Sequence, residues 1–358
     1  MTRRKKVLFV FFSSLILAGM ACATFPLVGG STPTPKPATE GAGTQDEMEY
    51  GGSRQDPYPP GELVPAFTIS VEVADFVRGI EAWEMLYQIN TLTDRLPEGQ
   101  EYACVRMVVV NDLPGLSRKI SQYGFYLTGE RHVRYPVAGI VTPKPVLGGE
   151  LAYGEQIHGW SCYLVPVGEE NLMVVVDLTG FSRSDGEFLT YIGLTEDASV
   201  TPSDEVYQPG SAGRWESAPA VWGEAVQTEM WEIRVLDVIR GEEAYERILE
   251  ANQFNRQPPE GMEYLMVFVE AAYYGEGDAL GEIDALTFKT FGERGELYAA
   301  PSVVDPMPAL DYEFYPGGRT AGWVVMLAGV DETGMVLVYS PRGVYEDEAV
   351  RYLSLENE

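Results

Sequence analysis

The chain has 358 residues, with 54 acidic and 25 basic side chains and a formal net charge of −29. The first 21 residues hold four basic side chains and no acidic one, so the remainder carries −33. Such an acidic surface repels phosphate backbones, and we therefore expect no nucleic-acid partner. Hydrophobic residues make up 45% of the chain, which excludes global disorder, and the length is typical of two domains. Two histidines leave little material for a His-rich metal site, and we expect no cofactor.

Residues 1–21 have the pattern of a bacterial secretory signal peptide. A short basic stretch precedes the almost wholly apolar Val7–Leu17, and small residues follow. This apolar run is too short for a convincing membrane-spanning helix. The residues before Cys22 resemble a lipoprotein signal, in which Cys22 receives lipid, although Gly19 stands where leucine is usual. The alternative is ordinary cleavage after Ala23, which predicts a secreted protein.

Residues 22–63 predict a tether. This segment is rich in Pro, Thr and Gly, including a Ser-Thr-Pro-Thr-Pro-Lys-Pro run at 31–37, and it lacks apolar periodicity. We therefore expect no packed structure here. If Cys22 is lipidated, the tether holds the folded part away from the extracytoplasmic face of the membrane, and the membrane is a partner.

An internal duplication follows the tether. Residues 73–105 match residues 235–267 with 14 identities in 33 ungapped positions, where average composition gives about two. Later segments match at nearly the same shift. We predict one domain at 64–197 and a second at 227–358. The polar, turn-rich residues 198–226 between them predict a linker.

Strand patterns dominate both copies. Phe67–Val73 and Trp231–Val235 alternate apolar and polar residues, as half-buried strands do. Each copy also has one helical pattern, with apolar residues spaced by three and four around Trp83 and around Tyr245. The sequence predicts a mainly β fold: two tandem antiparallel sandwiches, each with one short helical insertion near its N-terminus.

Two motifs recur in both copies and suggest a family. Pro97–Tyr102 precedes a valine-rich strand and returns at Pro259–Tyr264, while Gly154–Trp160 returns in part at Gly317–Trp323. The pattern resembles the telokin-like, immunoglobulin-fold domains of unknown function in bacterial lipoproteins. The second copy departs from it at Val324–Gly329, which lacks the proline. The resemblance implies extracytoplasmic, immunoglobulin-like sandwiches and supplies no catalytic residues.

Cys104 and Cys162 both lie in the first copy. Their counterparts in the second copy are Met266 and about Val325, so the fold does not require sulfur at these places. In an oxidising compartment two spare cysteines tend to pair. Both lie on the less apolar side of a predicted strand. We predict a disulfide between them, with two buried thiols as the alternative.

The repeated polar residues predict structure rather than chemistry. Asp75 and Arg78 return as Asp237 and Arg240, beside the predicted helix of each copy. We expect a structural salt bridge or a fixed turn at this strand–helix junction. The two histidines, His132 and His158, have no ligand or carboxylate at metal-binding spacing, so we expect both on the surface.

A few loop residues are candidates for binding. The acidic loop after residue 274 lacks EF-hand spacing, so it offers only weak calcium candidates and we expect no metal. Exposed aromatic residues in predicted loops can anchor a partner. The calcium candidates are Glu276, Asp278, Glu282 and Asp284, and the possible binding surface is Tyr273, Tyr274 and Trp222.

The sequence as a whole favours a non-catalytic protein. It contains no nucleophile elbow, phosphate-binding loop or zinc-protease motif. We expect an exported bacterial lipoprotein with a binding, envelope or adhesion role towards an unknown protein or envelope ligand. The alternative is a carbohydrate-active or hydrolytic accessory protein that uses surface carboxylates such as Glu282 and Asp284.

Overall fold

The computed structural model describes residues 52–91, 93, 99–178, 189–203, 208–277, 279–341 and 349–357. The predicted signal peptide, Cys22, most of the tether and Asp278 lie outside the described residues. Residues Asp46–Glu358 belong to one compact unit. Its described part is mainly β, with several antiparallel sheets and two α-helices, which is consistent with β-sandwich packing. Neither helix is long and apolar enough to cross a bilayer.

The described part of the first half has ten strands and one α-helix. In chain order these are β1 Val64–Ala66, β2 Ile69–Arg78, α1 Gly79–Ile89, β3 Gln100–Asn111, β4 Arg118–Ser121, β5 Phe125–Thr128, β6 Val133–Tyr135, β7 Gly148–Leu151, β8 Gln156–Pro166, β9 Met173–Val176 and β10 Thr190–Gly193.

The described part of the second half has the same order of elements. These are β11 Val226–Gln227, β12 Trp231–Arg240, α2 Gly241–Ala251, β13 Met262–Tyr273, β14 Gly281–Ile283, β15 Phe288–Phe291, β16 Tyr298–Ala299, β17 Tyr312–Phe314, β18 Arg319–Gly329, β19 Val336–Tyr339 and β20 Arg351–Ser354.

The strand pairing of the first half is repeated in the second. Sheet β1-β2-β3-β8 corresponds to β11-β12-β13-β18, and the order β10-β9-β5-β6 corresponds to β20-β19-β15-β16. Strand β4 pairs with β7 as β14 pairs with β17. One further pairing crosses between the halves, because β6 also pairs with β17 in antiparallel register. A six-stranded sheet of order β10-β9-β5-β6-β17-β14 therefore contains strands of both halves.

A single buried apolar cluster also contains residues of both halves. The inward faces of β2 and β3 contribute Val71 and Val105, and those of β12 and β13 contribute Ile233 and Val267. Phe314 of β17 belongs to the same cluster and is fully buried. Buried residues alternate with more exposed ones over Ile69–Ala74 of β2 and Trp231–Leu236 of β12, which explains why these segments form half-buried strands. The domain boundaries at 64–197 and 227–358 stay a prediction.

Each helix packs over the outer face of its own long-stranded sheet. Ala82 and Leu86 of α1 lie on Cys104 and Cys162, which are joined by a disulfide across paired positions of β3 and β8. In the second half the helix residues Ala244 and Ile248 lie on Met266 and Val325, which are paired in the same register. The disulfide therefore occupies the place of an apolar cross-strand pair.

The start of each helix depends on a glycine with positive φ. Gly79 has φ +68° and Gly241 has φ +70°, and a Cβ on either residue comes within 3.0 Å of the Glu101 or Glu263 carboxylate. We expect Gly79→Ala to destabilise the protein by about 1–2 kcal/mol, because L-residues adopt this region at that cost. Gly139→Ala is the matched control, since its Cβ meets nothing within 4 Å and its φ is not positive. Equal urea midpoints for the two variants would contradict this account.

The structure shortens the predicted tether. Residues 52–63 pack against the first half although they lack periodicity: Arg54 is buried and Tyr58 forms a parallel bridge with Ile192. The predicted linker is also held in part, because Ala220 is buried and exchanges backbone hydrogen bonds with β20. Both segments are fixed by a few separate contacts, which a search for apolar periodicity does not detect.

Candidate functional site

The candidate site is the joint, by which we mean the β6–β17 pairing and the side chains packed on it. Arg134 of β6 is paired with Glu313 of β17 in the sheet register. Its guanidinium lies 2.7 Å from an Asp177 carboxylate oxygen and 3.2 Å from one of Glu313. It also lies over the Tyr126 ring, 3.5 Å from the centroid. The Arg134 side chain is fully buried, so this cation holds a carboxylate from each half of the chain.

A second buried arginine lies on the same joint. Arg54 is 1% exposed, and its guanidinium lies 4.1 Å from the centre of the Tyr315 ring. It also lies 2.6 Å from Nδ1 of His132. The Tyr315 amide donates to the His132 carbonyl, and the Tyr191 and Tyr315 hydroxyls are 3.3 Å apart. Residues from the end of the tether, from the first half and from the second half therefore meet at one place.

The position of His132 differs from the expected surface site. The residue is half-buried, has φ +56° and lies beside Arg54. Burial, followed by the Arg54 charge, lowers the pKa of His132 to about 4. The ring is consequently neutral at pH 7, and its Nδ1 can accept a hydrogen bond from the guanidinium. His158 lies on β8 and is exposed, as expected.

The repeated arginines take different partners from those predicted. Arg78 pairs with Glu101 rather than with Asp75, and it donates to the Glu169 carbonyl at 2.9 Å. Asp75 instead accepts from the next backbone amide, at a bulge in β2. A strand bulge rotates consecutive side chains apart, which removes Asp75 from the arginine. Arg240, Glu263, the Glu332 carbonyl and Asp237 repeat this arrangement in the second half.

A buried glutamate follows this contact in each half. Glu169 is 1% exposed, accepts from the Arg131 amide at 2.9 Å and lies 3.0 Å from the Arg131 guanidinium. Burial raises the pKa of the Glu169 carboxyl above its ordinary value, against the lowering effect of Arg131. Burial and the adjacent Glu169 carboxylate also raise the pKa of Tyr135.

The equivalent glutamate in the second half is better satisfied. Glu332 accepts from the Arg294 and Gly329 amides, both at 3.1 Å, and from the Tyr298 hydroxyl at 2.8 Å. Burial alone would raise the pKa of the Glu332 carboxyl, but these hydrogen bonds together hold it below its ordinary value. Neither Glu169 nor Glu332 is among the candidate residues predicted from the sequence. Their regular shift of 163 residues, shared with Arg131/Arg294 and Tyr135/Tyr298, is the signal that identifies them.

These two glutamates predict opposite pH effects. The lowered pKa of Glu332 gives stability that is present above its unfolded pKa of about 4.3 and lost as the pH falls. The raised pKa of Glu169 has the opposite sign, since its ionisation opposes folding as the pH rises. We expect Glu332→Gln to cost about 1–3 kcal/mol at pH 7 and less at pH 4. Glu169→Gln, the matched control, costs less at pH 7 in the same urea titrations. A Glu332→Gln penalty that grows towards pH 4 would contradict the assignment.

The predicted aromatic surface lies elsewhere than expected. Tyr273 is the last residue of β13 rather than a loop residue, and it is buried 4.8 Å from the Trp231 ring. Tyr274 is half-buried, and its hydroxyl accepts from Arg319 at 3.0 Å. Trp222 is half-buried against the main apolar cluster. The apolar alternation of β13 continues through Tyr273, which is why this residue packs inwards.

The acidic loop does not assemble a cation site among its described residues. The Asp284 carboxylate accepts from the Leu286 amide at 2.9 Å and caps the short 3-10 helix Ala285–Thr287. Glu282 is exposed on β14, and Glu276 is exposed in the preceding turn. No group of three potential ligand residues suited to a metal ion occurs in the described part of the chain. The fourth candidate, Asp278, lies outside it.

Two clefts of the described surface are lined by residues of the predicted linker and of the second half. One, of about 250 Å³, is lined in part by Arg214, Trp231 and Arg351. The Arg351 guanidinium there donates to the Gln227 carbonyl at 2.9 Å, which links β20 to β11. The other, of about 350 Å³, lies on the face of β15 and β19 and includes Lys289 and Leu297.

Comparison with known proteins places the chain in no family. No protein-family model matches it, and no curated protein matches it. The yjhA protein from Bacillus subtilis matches 38% of this chain and 98% of its own, with 14% identity and a TM-score of 0.28. A protein named as a putative lipoprotein (ycdA), from Bacillus subtilis subsp. subtilis str. 168, matches 37% of this chain and 38% of its own, with 10% identity and a TM-score of 0.29. TM-scores this low support no conclusion about fold or activity.

Proposed function

We propose that this chain is an exported bacterial lipoprotein with a non-catalytic binding role in the cell envelope. Its two immunoglobulin-like copies act as a single binding unit. This unit is anchored through Cys22 to the outer side of the cytoplasmic membrane. The signal pattern and the Cys22 context support the export and the anchor. The resemblance of both copies to telokin-like lipoprotein domains supports the immunoglobulin-like assignment.

The observation that carries the binding role is the joint. Arg134 holds carboxylates from both halves, and the six-stranded sheet passes from one half to the other. Two copies connected in this way present a fixed surface, so this chain loses little conformational entropy when a partner binds to both halves. A flexible linker between independent copies would not offer this advantage.

The anchor is tested at Cys22. We expect the wild-type chain in the membrane fraction, with the mass of a lipid on its N-terminal cysteine, and Cys22→Ser in the soluble or precursor fraction. Ser31→Ala is the control, because it changes a residue of the predicted tether and leaves Cys22 and the disulfide intact. A wild-type N-terminus that begins at Thr24 without lipid would overturn the lipoprotein assignment.

The binding role is tested by capture from envelope extracts. We expect a specific partner to bind the wild-type chain and to be lost with Arg134→Ala, which opens the joint. Arg319→Ala is the control, because Arg319 also contacts two carboxylates but is 43% exposed. Identical background from all three proteins would contradict the proposal. The hydrolytic alternative is tested by turnover of a glycoside and ester panel, with Glu282→Gln and Asp284→Asn as the variants.

A further inference from the structure

The second half contains an open equivalent of the face that the joint covers in the first half. By sheet position, Tyr126, Arg134 and Asp177 correspond to Lys289, Leu297 and Ser340. In the first half this face is covered by β17 and Tyr315. In the second half the same face is the 350 Å³ open groove, and Leu297 at its edge is 56% exposed.

The strand edges show the same relation. Strand β16 is the counterpart of β6, and its described neighbour is β15 alone. Strand β7 is the counterpart of β17, and within the described residues it pairs with β4 alone. Gly148, Gly149 and Glu150 of β7 are exposed. Among the described strands, one edge of each type is therefore left over after the joint has formed.

These two edges offer one pair of opposite charges, Lys289 and Glu150, and Glu216 also lines the groove. Glu150 occupies the place of Glu313, which faces Arg134 in the joint. In the open groove Leu297 stands at the position of Arg134, and the positive charge is instead that of Lys289 on the adjacent strand β15. A strand placed on β16 as β17 lies on β6 brings Glu150 towards Lys289 and across Leu297. Glu150 already accepts from Ser117 at 2.8 Å, which leaves its second oxygen for the lysine.

We propose that the open groove of one molecule binds the β7 edge of a second copy of this chain, repeating the joint between molecules. The contact is heterologous, because each molecule gives one edge and receives the other, so it extends into open chains of molecules. The intermolecular contact lacks one apolar pair that the joint has, because Glu296 stands at the position of Val133. The intermolecular contact is therefore weaker than the joint, and it forms where the chains are concentrated.

The test uses two full-length chains in a Cys22→Ser background, mixed and treated with a short bismaleimide. One carries Ala152→Cys beside β7, and the other carries Glu296→Cys beside the groove, so that Glu150, Lys289 and Leu297 remain native. We expect a cross-linked dimer at least five-fold above a control mixture in which Phe254→Cys, 81% exposed and in the segment after α2, replaces Glu296→Cys. Each chain alone gives only the control level.

Charge reversal separates this contact from random collision. We expect Lys289→Glu in the groove chain to abolish the cross-link, and Glu150→Lys in the partner chain to restore it. Both side chains are exposed, so neither change disturbs the core. Cross-linking equal to the Phe254→Cys control, indifferent to charge reversal, or formed between two Glu296→Cys chains would overturn the proposal. Its failure leaves the Cys22 and envelope-capture results unchanged, so the two proposals fail separately.

Discussion

Replacing Arg134 with alanine is expected to lower the free energy of unfolding by about 3–5 kcal/mol, because the change leaves a buried carboxylate without its cation. Asp177 is 5% exposed and lies 2.7 Å from the guanidinium, so water cannot compensate for the loss. The loss also separates the two halves, since Glu313 belongs to the second half. Urea unfolding followed by tryptophan fluorescence measures the effect.

Two comparisons give this prediction its control. Arg319→Ala removes an arginine that contacts Glu232 and Glu270 on the surface, and exposed pairs of this kind contribute about 0–1 kcal/mol. The double variant Arg134→Met with Asp177→Leu removes both buried charges and is expected to lose less stability than Arg134→Ala alone. Similar losses for Arg134→Ala and Arg319→Ala would show that the joint does not depend on the buried pair.

Removing the disulfide is expected to have an effect of similar size. Cys104 and Cys162 are separated by 58 residues, and the chain-entropy model gives about 4 kcal/mol for a closed loop of that length. We expect Cys104→Ala with Cys162→Ala to lose at least this amount, since the substitution also leaves a gap beneath Ala82 and Leu86 of α1. Guanidinium unfolding of the oxidised wild type and the double variant measures it.

The second half supplies the matched control for the disulfide. Met266 and Val325 occupy the equivalent paired positions beneath α2. The variant Cys104→Met with Cys162→Val imports this pair, so it lacks the covalent bond but keeps apolar packing. We expect it to be more stable than the double alanine variant and less stable than the oxidised wild type. A purified wild-type chain in which both thiols react before reduction would contradict the disulfide itself.

The sequence predicts the strand and helix content well because these elements follow from local patterns. The period-two alternation of Phe67–Val73 and the helical spacing around Trp83 are properties of short segments. The alignment of the two copies by sequence is less accurate for the later strands. Met173–Val176 matches Met335–Val338 by sequence, but the equivalent strand is Val336–Tyr339, one residue later. A run of four apolar residues buried throughout has no alternation to set the register.

The joint could not be predicted, for a physical reason that its residues make clear. Arg78 and Glu101 recur in both copies because they hold each copy together internally. Arg134, Asp177 and Tyr315 do not recur, because they belong to the joint, which occurs once in the described chain. A search for repeated residues therefore finds the contacts within each copy and not those of the joint. The residues of the joint are found only among the positions at which the two copies differ.

The central claim is that both halves form one cooperative body through the joint, and calorimetry of the full chain tests it most directly. We expect a single unfolding transition whose calorimetric and van't Hoff enthalpies agree, because one apolar cluster and one six-stranded sheet contain residues of both halves. Arg134→Ala is expected to split or broaden this transition. Two separate transitions in the wild-type chain, unchanged by Arg134→Ala, would contradict the claim.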